Sequence, residues 1–97
     1  MGLRVRWSRQ NRGHLLTIRQ RIRDDNHAAA ERMRVRIVKV VKLLGMMPAL
    51  GHSGRRRGTM EFVVSPYIIV YRTISRSLVV LGIFHGNREE WDNYSDA

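Results

Sequence analysis

The sequence predicts an α+β fold, a two-layer β-α-α-β-β-β domain in which a helical hairpin covers one face of an antiparallel four-stranded sheet. Three observations predict it. Leu3-Arg4-Val5-Arg6-Trp7 alternates apolar and cationic residues with the period of a strand. Two amphipathic stretches with helical spacing follow, and then three β-rich runs separated by two-residue breaks. The chain has 97 residues, enough for one domain with one modest core.

The first strand puts Leu3, Val5 and Trp7 on one face and Arg4 and Arg6 on the other. Ser8 is a candidate N-cap for a first helix over Arg9–Asp25, where Leu15, Ile18 and Ile22 recur at helical spacing. Asp24-Asp25-Asn26 reads as a break, with Asn26 a cap for the next helix. In that second helix Ala30, Met33, Ile37, Val40 and Leu44 step by three and four in one apolar stripe. Glu31 near its start and Lys39 and Lys42 near its end suit the helix dipole, and Gly45 then Pro48 stop it. Residues 45–58 read as a loop. Thr59–Ser65, Tyr67–Ser75 and Ser77–His85 read as three strands joined in an antiparallel meander. Residues 87–97 are a polar acidic tail. With so little chain left to cover the second face of the sheet, that face is expected to be an open groove carrying Arg4 and Arg6.

Composition narrows the function classes. Cysteine is absent, which removes disulfides, thiolate metal sites and cysteine nucleophiles. His14, His27, His52 and His85 do not fall at metal-ligand spacings, so no metal and no cofactor is expected. The N-terminus lacks the apolar stretch of a secretory signal, and no apolar run is long enough to span a bilayer; a cytoplasmic protein without membrane contact is expected. The net charge is +10, and sixteen of the eighteen cations are arginine. Residues 1–88 carry +14 and residues 89–97 carry −4. A body this basic attracts polyanions, and arginine favours bidentate contacts to phosphate or carboxylate.

Three places carry candidate chemistry. Arg55-Arg56-Arg57 is either a clamp for phosphate or carboxylate or a solvated basic loop. His85-Gly86-Asn87-Arg88 offers an acid/base beside a cation, or a histidine hydrogen-bonded to loop backbone. Glu61 is the one acid between Glu31 and Glu89, and strand pairing can bring it towards Arg72 or Arg88 for catalysis or for a structural ion pair. In the tail, Trp91 and Tyr94 can stack a base or pin the tail to the body.

Taken in order, these residues resemble the RelE/ParE superfamily of bacterial toxins, nearest its ParE-like and StbE-like branch. The resemblance runs from Val5-Arg6-Trp7-Ser8 through Asp25-Asn26-His27-Ala28-Ala29-Ala30-Glu31-Arg32 and Pro48-Ala49-Leu50-Gly51. It continues through Gly58-Thr59-Met60-Glu61-Phe62-Val63-Val64 and Pro66-Tyr67-Ile68-Ile69-Val70-Tyr71-Arg72 to His85-Gly86-Asn87-Arg88-Glu89-Glu90-Trp91. It implies a growth-inhibiting toxin of a type II toxin–antitoxin system, paired in a hetero-oligomer with a cognate antitoxin seated in a groove that includes Arg4, Arg6 and Arg72.

The leading target implied is DNA gyrase, poisoned without catalytic residues. The alternative implied is the mRNA of translating ribosomes, cut by an endoribonuclease in which His85, Arg88, Glu61 and Tyr94 act on the phosphodiester. Target or nucleic-acid contacts would then fall on Arg55, Arg56, Arg57, Arg72, Arg88 and Trp91. Met60 departs from the branch, where an arginine commonly precedes the glutamate, and takes one cation from that site. A basic nucleic-acid-binding module without toxicity is a third class.

Overall fold

The computed structural model describes residues 2–8 and 27–86. The expected helix over 9–25, the Asn26 cap, and the tail with Arg88, Trp91 and Tyr94 lie outside the described residues. The described elements are β1 (Arg4–Trp7), α1 (His27–Met46), a 3-10 turn (Pro48–Leu50), β2 (His52–Ser53), β3 (Met60–Val64), β4 (Tyr67–Ile74) and β5 (Ser77–His85).

The sheet is five-stranded and mixed, in the order β1-β5-β4-β3-β2. This corrects the expectation of an antiparallel four-stranded sheet in two respects. First, β1 runs parallel to β5, with Val5 opposite Leu78 and Trp7 opposite Val80. Short links force antiparallel pairing only within β3-β4-β5, whereas the long connection after β1 leaves its direction open. Second, His52 and Ser53 form a short strand against Glu61 and Met60 inside the stretch expected to be loop. The meander itself follows expectation. Val64 pairs with Tyr67 across Ser65-Pro66, and Ile74 pairs with Ser77 across Ser75-Arg76, with Ser75 at a φ of 54°. Between Val70 and Tyr71 the β4-β5 register slips by one residue at Leu81, a bulge.

Ile37, Val41 and Leu44 of α1 pack on one face of the sheet, against Ile69, Tyr71, Leu78, Val80 and Ile83. The apolar stripe read from the sequence holds: Ala30, Ile37 and Leu44 are buried, Met33 and Val40 pack half-buried against the core, and Val41 joins the buried set. Among the described residues α1 is the one helix longer than a turn. Glu31 lies one turn inside it and bonds Arg34 at 2.7 Å, and the last turn carries no cation, so the dipole pairing expected at its ends is absent.

Gly45 does not stop the helix. It is buried within the last turn, where its carbonyl accepts the Leu3 N–H at 2.7 Å. A Cβ there would lie 2.8 Å from Val5 Cγ2, so glycine sets how closely β1 approaches α1.

The second face of the sheet is not the open arginine-lined groove expected. Val70, Leu81 and Phe84 form a second buried cluster there, joined by Ile68 and Val79. The bulge and the alternation of β4 send apolar side chains to both faces, as the near-continuous apolar runs of β4 and β5 require.

Candidate functional site

Strand register assigns each candidate to a face. Arg6 lies opposite Val79, and Val79 lies opposite Arg72. The three form one lateral row across β1, β5 and β4. Arg4 follows in the next row of the same face, opposite Ser77. The arginines named for the groove therefore come together, with Arg4 and Arg6 exposed and Arg72 half-buried. They flank one end of the apolar cluster rather than lining the whole face.

Glu61 shares that face, opposite Val70 and on the diagonal from Arg72. It is only 4% exposed. One carboxylate oxygen accepts the Arg55 backbone N–H at 2.9 Å, and the other lies 4.0 Å from His52 Nε2. Through the first of these contacts the carboxylate holds the main chain of the arginine turn. The sequence offers His52 only among the histidines weighed as metal ligands, because the two-residue β2 that sets it opposite Glu61 carries no readable period.

His85 is on the other side of the sheet. It pairs with Tyr67, whose ring meets the imidazole edge-on at 5.7 Å and 85°. Tyr67 belongs to the core under α1. The sheet thus places His85 and Glu61 on opposite faces.

Arg55, Arg56 and Arg57 sit in a bonded turn between β2 and β3. Thr59 N–H donates to the Arg56 carbonyl at 3.1 Å, Thr59 Oγ1 donates to the same oxygen at 2.6 Å, and Gly54 N–H donates to the Thr59 carbonyl at 2.7 Å. Gly58, with a φ of 79°, occupies the turn position that glycine tolerates best. A pocket of about 390 Å³ opens beside the turn, lined by Ser53, Arg56, Arg57, Thr59, Met60 and Thr73 among others.

A larger groove of about 830 Å³ follows the outer side of α1, where Arg32, Arg36 and Lys39 surround Val35 and Val40. Among the described residues no group of three or more His, Asp and Glu side chains could hold a metal ion. No helix among them is long and apolar enough to cross a membrane.

Tyr71 anchors the site from beneath. Its buried hydroxyl donates to the Pro48 carbonyl at 2.6 Å and accepts the Gly51 N–H at 3.1 Å. Burial pushes its pKa up, and the Gly51 hydrogen bond offsets part of that rise. On α1, the hydrogen bond to Glu31, and then its charge, hold the Arg34 guanidinium more firmly in the charged form.

Comparison with known proteins extends this description. The family model for the ParE toxin of type II toxin–antitoxin systems matches residues 5–90. A Sinorhizobium fredii protein named "Putative toxin Y4kP" is 38% identical over 88 residues, which span 89% of this chain and 91% of the relative. The fold superposes on the chromosomal ParDE toxin–antitoxin system from P. aeruginosa with a TM-score of 0.78 at 18% identity, covering 86% of this chain and 95% of that one. It superposes on the toxin–antitoxin complex RelBE2 from Mycobacterium tuberculosis with a TM-score of 0.66 at 22% identity, covering 88% and 99%. At those identities the two structures speak for the fold alone.

Proposed function

The chain belongs to the ParE toxin family of type II toxin–antitoxin systems, and from that premise we propose that it arrests growth by poisoning DNA gyrase and is neutralised by a cognate antitoxin. The observation that carries the gyrase reading is the separation of His85 from Glu61 by the sheet, together with the use of the Glu61 carboxylate to hold Arg55. Cleavage of RNA by attack of a 2′-hydroxyl asks for a base and an acid around one phosphate. Two of the side chains expected to supply them, His85 and Glu61, face opposite ways, so binding without bond-breaking is the activity this arrangement serves best.

The antitoxin contact is assigned to the Arg6-Val79-Arg72 row with Arg4 beside it. An acidic, partly apolar segment fits there, its carboxylates on the guanidinia and its apolar residues toward Val79 and Ile68. Ordering such a segment against a body of this charge is favoured by attraction and by burial.

Expression of the chain alone in a bacterium tests the reading. The expected result is gyrase-dependent double-strand breaks and an SOS response while protein synthesis continues. Cleavage of mRNA at codons within translating ribosomes, with gyrase untouched, overturns it in favour of the ribonuclease. For the partner, Arg4→Ala/Arg6→Ala is expected to weaken rescue by the antitoxin encoded beside the toxin, and unchanged rescue removes this row from the interface.

A further inference from the structure

We infer that the Gly54–Thr59 turn and the pocket beside it form a seat for a phosphodiester group of duplex DNA. Three consecutive arginines repel one another, so an unstructured loop would spread them. Here the backbone is closed by the two bonds from Thr59 to the Arg56 carbonyl and by the bond from Gly54 to Thr59. Thr59 is itself buried, at 4% exposed.

Two glycines make the closure possible. Gly58 supplies the left-handed φ, and a side chain at Gly54 would collide with Thr59 Oγ1. Beneath the turn the Glu61 carboxylate takes the Arg55 N–H at 2.9 Å, placing a buried negative charge where it offsets the crowding of the cations. The turn is therefore ordered before any ligand arrives, which lowers the entropy lost on binding.

The pocket has the lining an anion requires. Arg56 and Arg57 lie on its wall with the hydroxyl-bearing Ser53 and Thr73, and its described lining holds no carboxylate. Guanidinium forks bind phosphate oxygens in pairs, and serine and threonine hydroxyls add donors that carry no sequence preference. Duplex DNA rather than an acidic peptide is the occupant favoured. Polar and apolar surface share the wall evenly, and among its described residues Met60 is the one large apolar side chain, whereas a peptide segment would need a broader apolar surface to bury.

The choice of DNA rests on the gyrase reading, in which the toxin meets a duplex held by that enzyme. Glu61 is then a positioning residue that holds the turn in shape.

Binding of the full-length toxin to a fluorescein-labelled duplex, followed against salt, tests the seat. Arg57→Ala is expected to lower the slope of log affinity on log salt by about 1, and Arg56→Ala/Arg57→Ala by about 2. Arg32→Ala/Arg36→Ala on α1 removes the same charge as a control. Inorganic phosphate should shift the backbone amide resonances of residues 53–60 in the wild type and in the α1 variant, but not in the loop double variant. Equal losses of DNA affinity in the two double variants, with phosphate shifts spread over the surface, overturn the seat. Trapping of gyrase cleavage complexes, measured separately, keeps the two readings apart. Trapping without DNA contact at the turn removes the seat and leaves the gyrase reading. DNA contact at the turn without trapping does the reverse.

Discussion

The hydroxyl of Tyr71 bonds the Pro48 carbonyl and the Gly51 amide together, so that a core residue of β4 clasps both ends of the 3-10 turn that leads to β2. A Cβ at Gly51 would collide with that hydroxyl and lie 2.9 Å from the Glu61 carbonyl oxygen. The segment that carries the arginine turn is thereby moored to the centre of the sheet.

Tyr71→Phe leaves the Pro48 carbonyl and the Gly51 amide without this partner. The expected loss is about 1–3 kcal/mol, measured by urea unfolding. Gly51→Ala introduces a clash at the same place and is expected to lose a similar amount.

The same phenol predicts sensitivity to alkali. Its folded-state pKa is raised above the ordinary 10.0, mainly by burial. The folded chain therefore keeps a proton that the unfolded chain gives up. This contribution to stability is whole below that ordinary value and is lost as pH rises through the folded-state pKa. Denaturant midpoints measured upward from neutral pH should fall in that window, and the part due to Tyr71 should be missing in Tyr71→Phe.

Gly45 and Val5 predict a reversal of sign. Alanine at a helix interior ordinarily gains about 1 kcal/mol over glycine. Here its Cβ would lie 2.8 Å from Val5 Cγ2, so Gly45→Ala is expected to destabilise the wild type. In a Val5→Ala background the clash is gone and the helical preference should prevail. A double-mutant cycle reads the coupling, and two additive effects would refute the contact.

Glu61 separates a scaffold from a base. Glu61→Gln keeps an oxygen for the Arg55 N–H and is expected to retain toxicity in a growth assay. Glu61→Ala leaves that buried donor without its acceptor, costs about 1–3 kcal/mol, and should loosen the turn. Loss of toxicity in a folded Glu61→Gln variant would favour the ribonuclease reading.

Much of this architecture was legible because its signals are periodic. The stripe through Ala30, Ile37 and Leu44 marked α1, and the apolar runs with their two-residue breaks marked β3, β4 and β5 to within one residue at each end. The features that escaped are those whose partners are distant or are backbone atoms. The pairing of β1 with β5 joins Arg4 to Ser77 across most of the chain, and no local pattern announces it. Gly45 read as a helix stop because glycine commonly ends helices, while its reason here is the side chain of Val5. The carboxylate of Glu61 meets a main-chain amide, which no inventory of side chains reveals. His85 and Glu61 were both nameable as chemistry-bearing residues, but only the register could put them on opposite sides of the sheet.

The hydrogen bonding of β1 to β5 also bears on biosynthesis. A ribosome releases the opening strand long before its neighbour exists, so the sheet stays incomplete until the last of the described elements has emerged. A cell that makes this toxin thus carries it in an unfinished form for most of each round of translation.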